Sequence, residues 1–165
     1  MRRTGLLVAT MLAALLVLSG VALAKDIIGT PKSEKIAGTE RRDVIDALGG
    51  NDTVTGRGGD DEIYGNEGRD SISGSDGVDE IYGGSANDMV RGGDGEDEVY
   101  GGSGSDEING GNGSDYLSGG FNSDTIVSVD GRPNDTVSCG TGADDQVLAD
   151  RGDGVSGDCD RVTFQ

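Results

Sequence analysis

Two classes of residue recur every nine positions in this chain, and their shared register restricts the fold more than any other feature. Between Gly38 and Val127, every nine-residue unit has Asp at its sixth position and a large aliphatic residue at its eighth, in ten units out of ten. A merely acidic, glycine-rich linker would give scattered matches instead. The aspartates are Asp43, Asp52, Asp61, Asp70, Asp79, Asp88, Asp97, Asp106, Asp115 and Asp124. The aliphatic residues are Ile45, Val54, Ile63, Ile72, Ile81, Val90, Val99, Ile108, Leu117 and Ile126.

Glycine accompanies this register, so that well-preserved units read G-G-x-G-x-D-x-U-x, where U is a large aliphatic residue. Gly92 to Tyr100 and Gly101 to Asn109 are two such units in succession. The pattern resembles the RTX, or haemolysin-type, calcium-binding nonapeptide repeat. That resemblance implies an all-β fold, a right-handed parallel β-roll, which is a β-solenoid whose coils each contain two repeat units and two short strands.

The nine-residue period agrees with a roll, because two units per coil would point every aliphatic side chain into one interior. We expect about five to six coils, with degenerate coils as caps. Their interior would be a thin column of Ile, Val and Leu. Such a column is too small to offset the ordering of about 90 glycine-rich residues. The fold therefore needs a second source of stability.

Calcium is the source that these residues favour. It takes six to eight oxygen ligands, glycine allows a turn to aim its carbonyl groups at one point, and the aspartate adds a carboxylate. Ions placed between a turn and the turn one coil later would number several, up to about eight. We predict that all ten aspartates are ligands, together with glycines of the alternate turns that are fully preserved. Those glycines are Gly56, Gly59, Gly74, Gly77, Gly92, Gly95, Gly110 and Gly113.

The segment from Met1 to Ala24 is typical of a secretory signal peptide. Arg2 and Arg3 precede an apolar run from Leu6 to Leu18, and Ala22-Leu23-Ala24 follows as a cleavage sequence. A membrane anchor is the alternative, but the run is shorter than the roughly 20 residues of a membrane span. Cleavage after Ala24 changes the net charge from −18 to −20. We therefore expect a secreted, extracellular protein that has no membrane association once the leader is removed.

The mature chain is expected to have three parts. Residues 25–37 form a degenerate N-terminal capping coil, in which Glu34 replaces the aspartate. Residues 38–127 form the calcium-binding β-roll. In residues 128–165 an acidic residue still precedes four valines by two positions, but their spacing is irregular, so this part is expected to be a C-terminal cap; the valines are Val137, Val147, Val155 and Val162. Since two cysteines in a secreted chain usually pair, Cys139 and Cys159 are expected to form a disulfide.

Neither catalysis nor nucleic-acid binding is indicated. The chain has no His, which excludes His-based catalytic triads. The nine-residue register assigns the carboxylates to the turns and not to a glycosidase pair. The strong negative charge disfavours nucleic acid as a partner. The sequence therefore predicts a non-enzymatic protein that binds calcium outside the cell and folds on binding it.

An adhesion function remains the alternative. Tyrosine and glutamate recur in every second repeat unit and are expected to form a ladder on one outer face. This face could bind a cell-surface glycan or protein, whose identity the sequence does not give. Calcium would then serve only as a scaffold for an interaction module. The opposing interpretation is a stack that stabilises the sheet. The residues are Tyr64, Tyr82, Tyr100, Glu62, Glu80 and Glu98.

Overall fold

The computed structural model describes residues 24–132 and 134–165, so the expected signal peptide lies outside the described part except for Ala24. Within these two ranges the chain forms sixteen short strands, and no helix is long and apolar enough to cross a membrane. The strands are β1 (Asp26–Ile28), β2 (Lys35–Ala37), β3 (Val44–Asp46), β4 (Thr53–Gly58), β5 (Glu62–Glu67), β6 (Ser71–Asp76), β7 (Glu80–Ser85), β8 (Met89–Asp94), β9 (Glu98–Ser103), β10 (Glu107–Asn112), β11 (Tyr116–Phe121), β12 (Thr125–Ser128), β13 (Thr136–Thr141), β14 (Gln146–Ala149), β15 (Gly154–Val155) and β16 (Arg161–Phe164).

The strands form two parallel sheets, and the chain alternates between them. Sheet A has the order β1-β3-β5-β7-β9-β11-β13-β15, and sheet B has the order β2-β4-β6-β8-β10-β12-β14-β16. Each strand therefore pairs with the strand one coil away, and each coil contributes one strand to each sheet. This arrangement confirms the predicted all-β parallel β-solenoid.

The aliphatic residues at the eighth positions form the core. Ile45 pairs with Ile63, and Ile63 pairs with Ile81, so that identical positions stack from coil to coil. All three side chains are completely buried. Because neighbouring positions on each strand point outward, the core has one column of large aliphatic residues on each sheet, beside a second inward column of mostly glycine that includes Ala47, Cys139 and Ala149. It therefore remains as thin as the sequence indicates.

The number of coils differs from the expectation. About eight coils are present in the described residues, against the five to six expected, because both terminal regions also coil. At the C-terminal end, Leu117 pairs with Val137 and Ile126 with Val147, although both pairs are further apart in sequence than two regular repeat units. The additional residues lie in the turns, and the inward aliphatic residue of each strand still pairs with that of the next coil. Irregular spacing in the sequence thus changes turn length and does not end the solenoid.

Candidate metal centre

Buried aspartates form two rows, one along each edge of the solenoid. Row A consists of the buried aspartates that immediately precede the strands of sheet A, and row B of those that precede the strands of sheet B. Twelve of these side chains are at most 3% exposed, and Asp153 is 8% exposed. Row A contains Asp43, Asp61, Asp79, Asp97, Asp115, Asp135 and Asp153. Row B contains Asp52, Asp70, Asp88, Asp106, Asp124 and Asp145.

One carboxylate oxygen of each row aspartate accepts a hydrogen bond from the main chain of the preceding coil. The main-chain N–H of Asp61 donates to Oδ1 of Asp79 at 2.8 Å, and that of Asp88 donates to Oδ1 of Asp106 at 2.8 Å. The same bond recurs along both rows. Because the carboxylate replaces a main-chain acceptor at the start of each strand, the aspartate is needed for the turn itself as well as for any ligand.

The other carboxylate oxygen is left without a partner. In the described part of the chain, eleven buried Oδ2 atoms accept no hydrogen bond. An ionised carboxylate in this situation is strongly unfavourable unless a cation or a proton neutralises it. The eleven residues are Asp52, Asp61, Asp70, Asp79, Asp88, Asp97, Asp106, Asp115, Asp124, Asp135 and Asp145.

The electrostatics of the rows reflect this burial. Burial raises the pKa of Asp61 and Asp135 to about 6 and the pKa of Asp88, Asp97 and Asp124 to about 7, although each carboxylate accepts an N–H that acts in the opposite direction. Burial also raises the pKa of Asp70, Asp79, Asp106 and Asp115. The carboxylates of a row therefore disfavour ionisation when no cation is near.

The predicted ligand glycines lie against these carboxylates. A Cβ atom on Gly74 would lie 2.1 Å from Oδ2 of Asp79 and 2.8 Å from the carbonyl oxygen of Gly92. The first position must therefore lack a side chain, since a carboxylate oxygen and a carbonyl oxygen approach the same point. Gly77, at the fourth position, has φ +134°, a conformation that glycine adopts at no steric cost. Gly56 and Gly92 have the same surroundings as Gly74, and Gly110 lies against the Asp115 carboxylate. The fourth-position residues Gly59, Gly95 and Gly113 also have positive φ.

These surroundings fit calcium. Successive carboxylates in a row are one strand spacing apart, about 4.8 Å, close to twice a calcium–oxygen distance of about 2.4 Å. Among residues 24–132 and 134–165, no group of three or more acidic or Cys side chains converges on one point. An ion would therefore take its remaining ligands from main-chain carbonyl groups, which calcium accepts readily.

One predicted ligand has a different environment. Asp43, the first member of row A, accepts hydrogen bonds from the N–H groups of Lys25 and Thr39 and from the Thr39 hydroxyl. Glu34, which takes the equivalent place before row B, likewise accepts two hydrogen bonds from Thr30. A threonine four residues earlier thus supplies donors at the start of each row, whereas the eleven Oδ2 atoms named above have none among the described residues.

Besides Asp153, sequence reasoning missed two members of the rows, Asp135 and Asp145. Both side chains are buried, and their Oδ2 atoms are without partners among the described residues. The signal was present, because each precedes a valine by two positions, as in the regular repeat. The spacing departs from nine, which predicts a cap and not a continuation of the repeat.

The C-terminal region also contains the two cysteines. Cys139 and Cys159 are joined by a disulfide, and their Cα atoms are 5.1 Å apart. Ser138 pairs with Ser118 in sheet A, so the next residue, Cys139, stacks on Gly119. Cys139 therefore continues the column of first-position residues that contains Gly119. The disulfide therefore ties the last coils together at the edge of row B.

The tyrosine ladder is present and contains one more residue than expected. The rings of Tyr64 and Tyr82 stack with their centroids 5.0 Å apart, as do those of Tyr82 and Tyr100, and Tyr116 tilts against Tyr100 at 5.7 Å. The Tyr82 hydroxyl donates to Glu80, and this bond raises the pKa of Tyr82. Since the rings cover one another, the ladder presents mainly ring edges and hydroxyl groups to solvent.

A comparison with protein families identifies the repeat. The family model described as RTX calcium-binding nonapeptide repeat (4 copies) matches residues 28–63, 37–72, 55–90, 64–99 and 91–126. Together these matches cover residues 28–126, more than half of the chain. No curated protein matches the chain.

Proposed function

Since the chain belongs to the RTX calcium-binding nonapeptide repeat family, we propose that it is a secreted calcium-binding protein whose folding is driven by calcium outside the cell. The observation that carries the proposal is the set of eleven buried Oδ2 atoms that have no partner among the described residues. Bound calcium would supply the positive charge that these carboxylates otherwise lack. The main candidates for holding it are the row carboxylates and the carbonyl groups of the glycine turns.

The residues themselves prepare the rows for a cation. The N–H bonds to Oδ1 fix each carboxylate in one orientation, and the first-position glycine leaves room beside Oδ2. Without a cation, the mutual repulsion within a chain of net charge −20 opposes compaction. Extracellular calcium modules often bind in the range of about 10⁻⁴–10⁻³ M. The chain would therefore stay unfolded at low intracellular calcium and fold after export.

Far-UV circular dichroism of residues 25–165 tests this proposal. We expect a β-sheet spectrum in millimolar calcium, a disordered spectrum after chelation, and recovery when calcium is restored. Magnesium is the matched control, because its smaller, octahedral coordination sphere suits flexible carbonyl turns poorly. A spectrum that remains β-sheet after exhaustive chelation would refute calcium-driven folding.

We further propose that the protein is extracellular and acts without catalysis. The disulfide agrees with an oxidising compartment. The row carboxylates, which are the most numerous buried polar groups, are committed to the turns. The leader needed for export by this route is the predicted signal peptide of residues 1–24. Mass determination of the secreted form would test it, with Lys25 expected as the first residue.

Adhesion through the tyrosine ladder is the alternative function. Its support is an outer face on which Tyr64, Tyr82 and Tyr100 form one continuous strip. The stacked rings leave little open ring face for a sugar, so a partner would have to contact hydroxyl groups and the adjoining glutamates. If calcium-loaded protein binds cell-wall glycan and Tyr82→Ala abolishes binding without unfolding the roll, adhesion is the function. If both forms bind nothing, the ladder only stabilises the sheet.

A further inference from the structure

Two carboxylates outside the matched repeats occupy the same position in the rows as the repeat aspartates. Asp135 is the next member of row A after Asp115, and Asp145 is the next member of row B after Asp124. The family match ends at residue 126. These residues therefore lie in a region that sequence comparison does not assign to calcium binding.

Asp135 has the hydrogen bond and the burial of a repeat aspartate, with Ser128 in the place of the first-position glycine. Its Oδ1 accepts the N–H of Asp115 at 2.9 Å, its side chain is 2% exposed, and its Oδ2 has no partner in the described ranges. The turn that leads to it is longer than in the repeats, since the aspartate comes 20 residues after Asp115. The extra residues have changed the loop and left the carboxylate in place.

Asp145 repeats this arrangement on the other edge. Its Oδ1 accepts the N–H of Asp124 at 2.8 Å, and the side chain is completely buried. Its Oδ2 is also without a partner in the part of the chain that the structure describes. A carbonyl oxygen of the next coil, that of Cys139, approaches the first-position Gly119 beside Asp124, as the carbonyl of Gly92 approaches Gly74 in the regular repeats. The carboxylates of row B therefore continue into the disulfide-linked region, where Cys139 takes the place of the first-position glycine beside Asp145.

Row A ends one coil later, at Asp153, and the reason is visible. The Oδ2 atom of Asp153 accepts hydrogen bonds from the Ser128 hydroxyl at 3.0 Å and from the N–H of Asp150 at 2.8 Å. Protein donors thus satisfy this carboxylate, as Thr39 does for Asp43 at the other end. In row A, the unpartnered Oδ2 atoms of the described residues all lie between these two ends.

We propose that Asp135 and Asp145 bind calcium, so that the two rows of ions extend beyond the nonapeptide repeats into residues 128–165. The inference rests on the proposed calcium-binding function and adds to it that the C-terminal region is itself part of the metal centre. Calcium then holds the last coils onto the roll at both edges. The cap is consequently calcium-dependent, in addition to being fixed by the disulfide.

Matched asparagine variants test the proposal in the mature chain, residues 25–165. Asp135→Asn and Asp145→Asn keep the oxygen that accepts the N–H and remove only the charge and one ligand atom. Asp153→Asn is the control, because that side chain lies in row A but already has donors on Oδ2. Calcium stoichiometry is measured by isothermal titration, and the gain in Tm on adding calcium is measured in parallel.

Each of the first two variants is expected to bind at least one ion fewer and to show a smaller calcium-induced gain in Tm, whereas Asp153→Asn keeps the stoichiometry of the unaltered chain. Unchanged stoichiometry and an unchanged gain in Tm in both variants would overturn the inference. In that case, calcium binding by the unaltered chain would still support the proposed function. If the unaltered chain bound no calcium, the proposed function itself would fail.

Hydrogen exchange on the unaltered chain tests whether calcium orders the C-terminal region together with the repeats, which the extension requires. Calcium is expected to slow exchange of the main-chain amides in β13 (Thr136–Thr141) and β14 (Gln146–Ala149) by at least about tenfold. The disulfide stays intact in both conditions, so it does not contribute to the difference. Slowing that stops before residue 128 would overturn the extension.

Discussion

The main-chain N–H of Asp79 donates to Oδ1 of Asp97 at 2.9 Å, while Oδ2 of Asp97 has no partner among the described residues. A single carboxylate therefore does two things: it completes the preceding coil and it leaves one oxygen for a ligand. Row B repeats the relationship, for example between Asp70 and Asp88 at 2.8 Å. The aspartate occurs in all ten repeats, and in nine of them, all except Asp43, it has both roles.

The two edges are expected to bind calcium with different affinity. Every fourth-position residue beside Asp61, Asp79, Asp97 and Asp115 is glycine, whereas row B has Ala86 and Asn122 at this position with φ +77° and +76°. Replacing Asp79 or Asp97 with Ala should therefore raise the calcium midpoint of folding more than replacing Asp88 does. All three changes remove the same hydrogen-bond acceptor, which costs about 1–3 kcal/mol. A difference between the shifts in calcium midpoint therefore measures the difference in calcium affinity between the two edges. Equal or reversed shifts in a titration followed by circular dichroism would contradict the ranking.

Ala86→Gly is expected to stabilise the calcium-loaded roll by about 1 kcal/mol. Ala86 is held in the left-handed region, which costs a residue with a Cβ atom about 1–2 kcal/mol and costs glycine almost nothing. Part of the gain is lost to the greater freedom of glycine in the unfolded chain. Denaturant unfolding in saturating calcium measures the effect. Asn122→Gly is the control and should change stability less, because Asn tolerates this conformation; a larger effect at Asn122 would refute the explanation.

The calcium-free chain should be more stable in acid than at neutral pH. Burial raises the pKa of Asp88 and Asp97 to about 7 from an ordinary value of 3.8. Between these values the folded state retains protons that the unfolded chain has released, so stability falls as the pH rises towards 7. Calcium-free protein is expected to show more β-sheet at pH 4.5 than at pH 7.5, and added calcium should increase the signal less at pH 4.5.

Asp97→Asn is the matched variant for this pH effect. It cannot ionise, so it should raise the stability of the calcium-free chain at pH 7.5 and lower the stability gained from calcium. Thermal melts at both pH values, with and without calcium, would measure the two changes. A calcium-free chain that is more stable at pH 7.5 than at pH 4.5 would show that the buried carboxyl groups do not control its folding.

Loss of the disulfide is expected to destabilise the roll by about 3 kcal/mol. Cys139 and Cys159 are separated by 20 residues, and closing a loop of this length restricts the unfolded chain by about that amount. Reduction should lower the Tm of the calcium-loaded protein. The doubly substituted chain, Cys139→Ala with Cys159→Ala, should have a similarly low Tm that does not respond to reductant. An unchanged Tm on full reduction would mean that the bond contributes nothing to folding of the roll.

Much of the architecture is predictable from the sequence, because the fixed period of Asp and aliphatic residues dictates both the inward column and the turn positions. Ile63 and Asp61 are examples of residues whose places follow directly from their register. The coil count does not follow, because turn length is not constrained by the core. Leu117 and Val137 pair in the same way as Ile63 and Ile81, although a longer connection separates them.

The extent of the candidate site is less predictable than the fold. Asp43 has the expected register, but Thr39 satisfies its carboxylate, and the repeat pattern does not specify a hydroxyl group at that place. Asp135 has an unexpected spacing, yet its Oδ2 resembles those of the repeats. Whether a carboxylate is free for an ion depends on donors such as Thr39, in the same turn as Asp43, and Ser128, in the coil before Asp153, and the register of Asp and aliphatic residues does not show them.

The N–H to Oδ1 bonds all have the same direction, with the donor in the earlier coil and the acceptor in the later one. A newly formed coil therefore completes these hydrogen bonds only after two carboxylates further along the chain have taken their places. A polypeptide that leaves a translocation pore amino end first delivers these carboxylates in order. Assembly would then be vectorial, advancing one coil behind the emerging polypeptide, and an interrupted export event would leave the last coil incomplete.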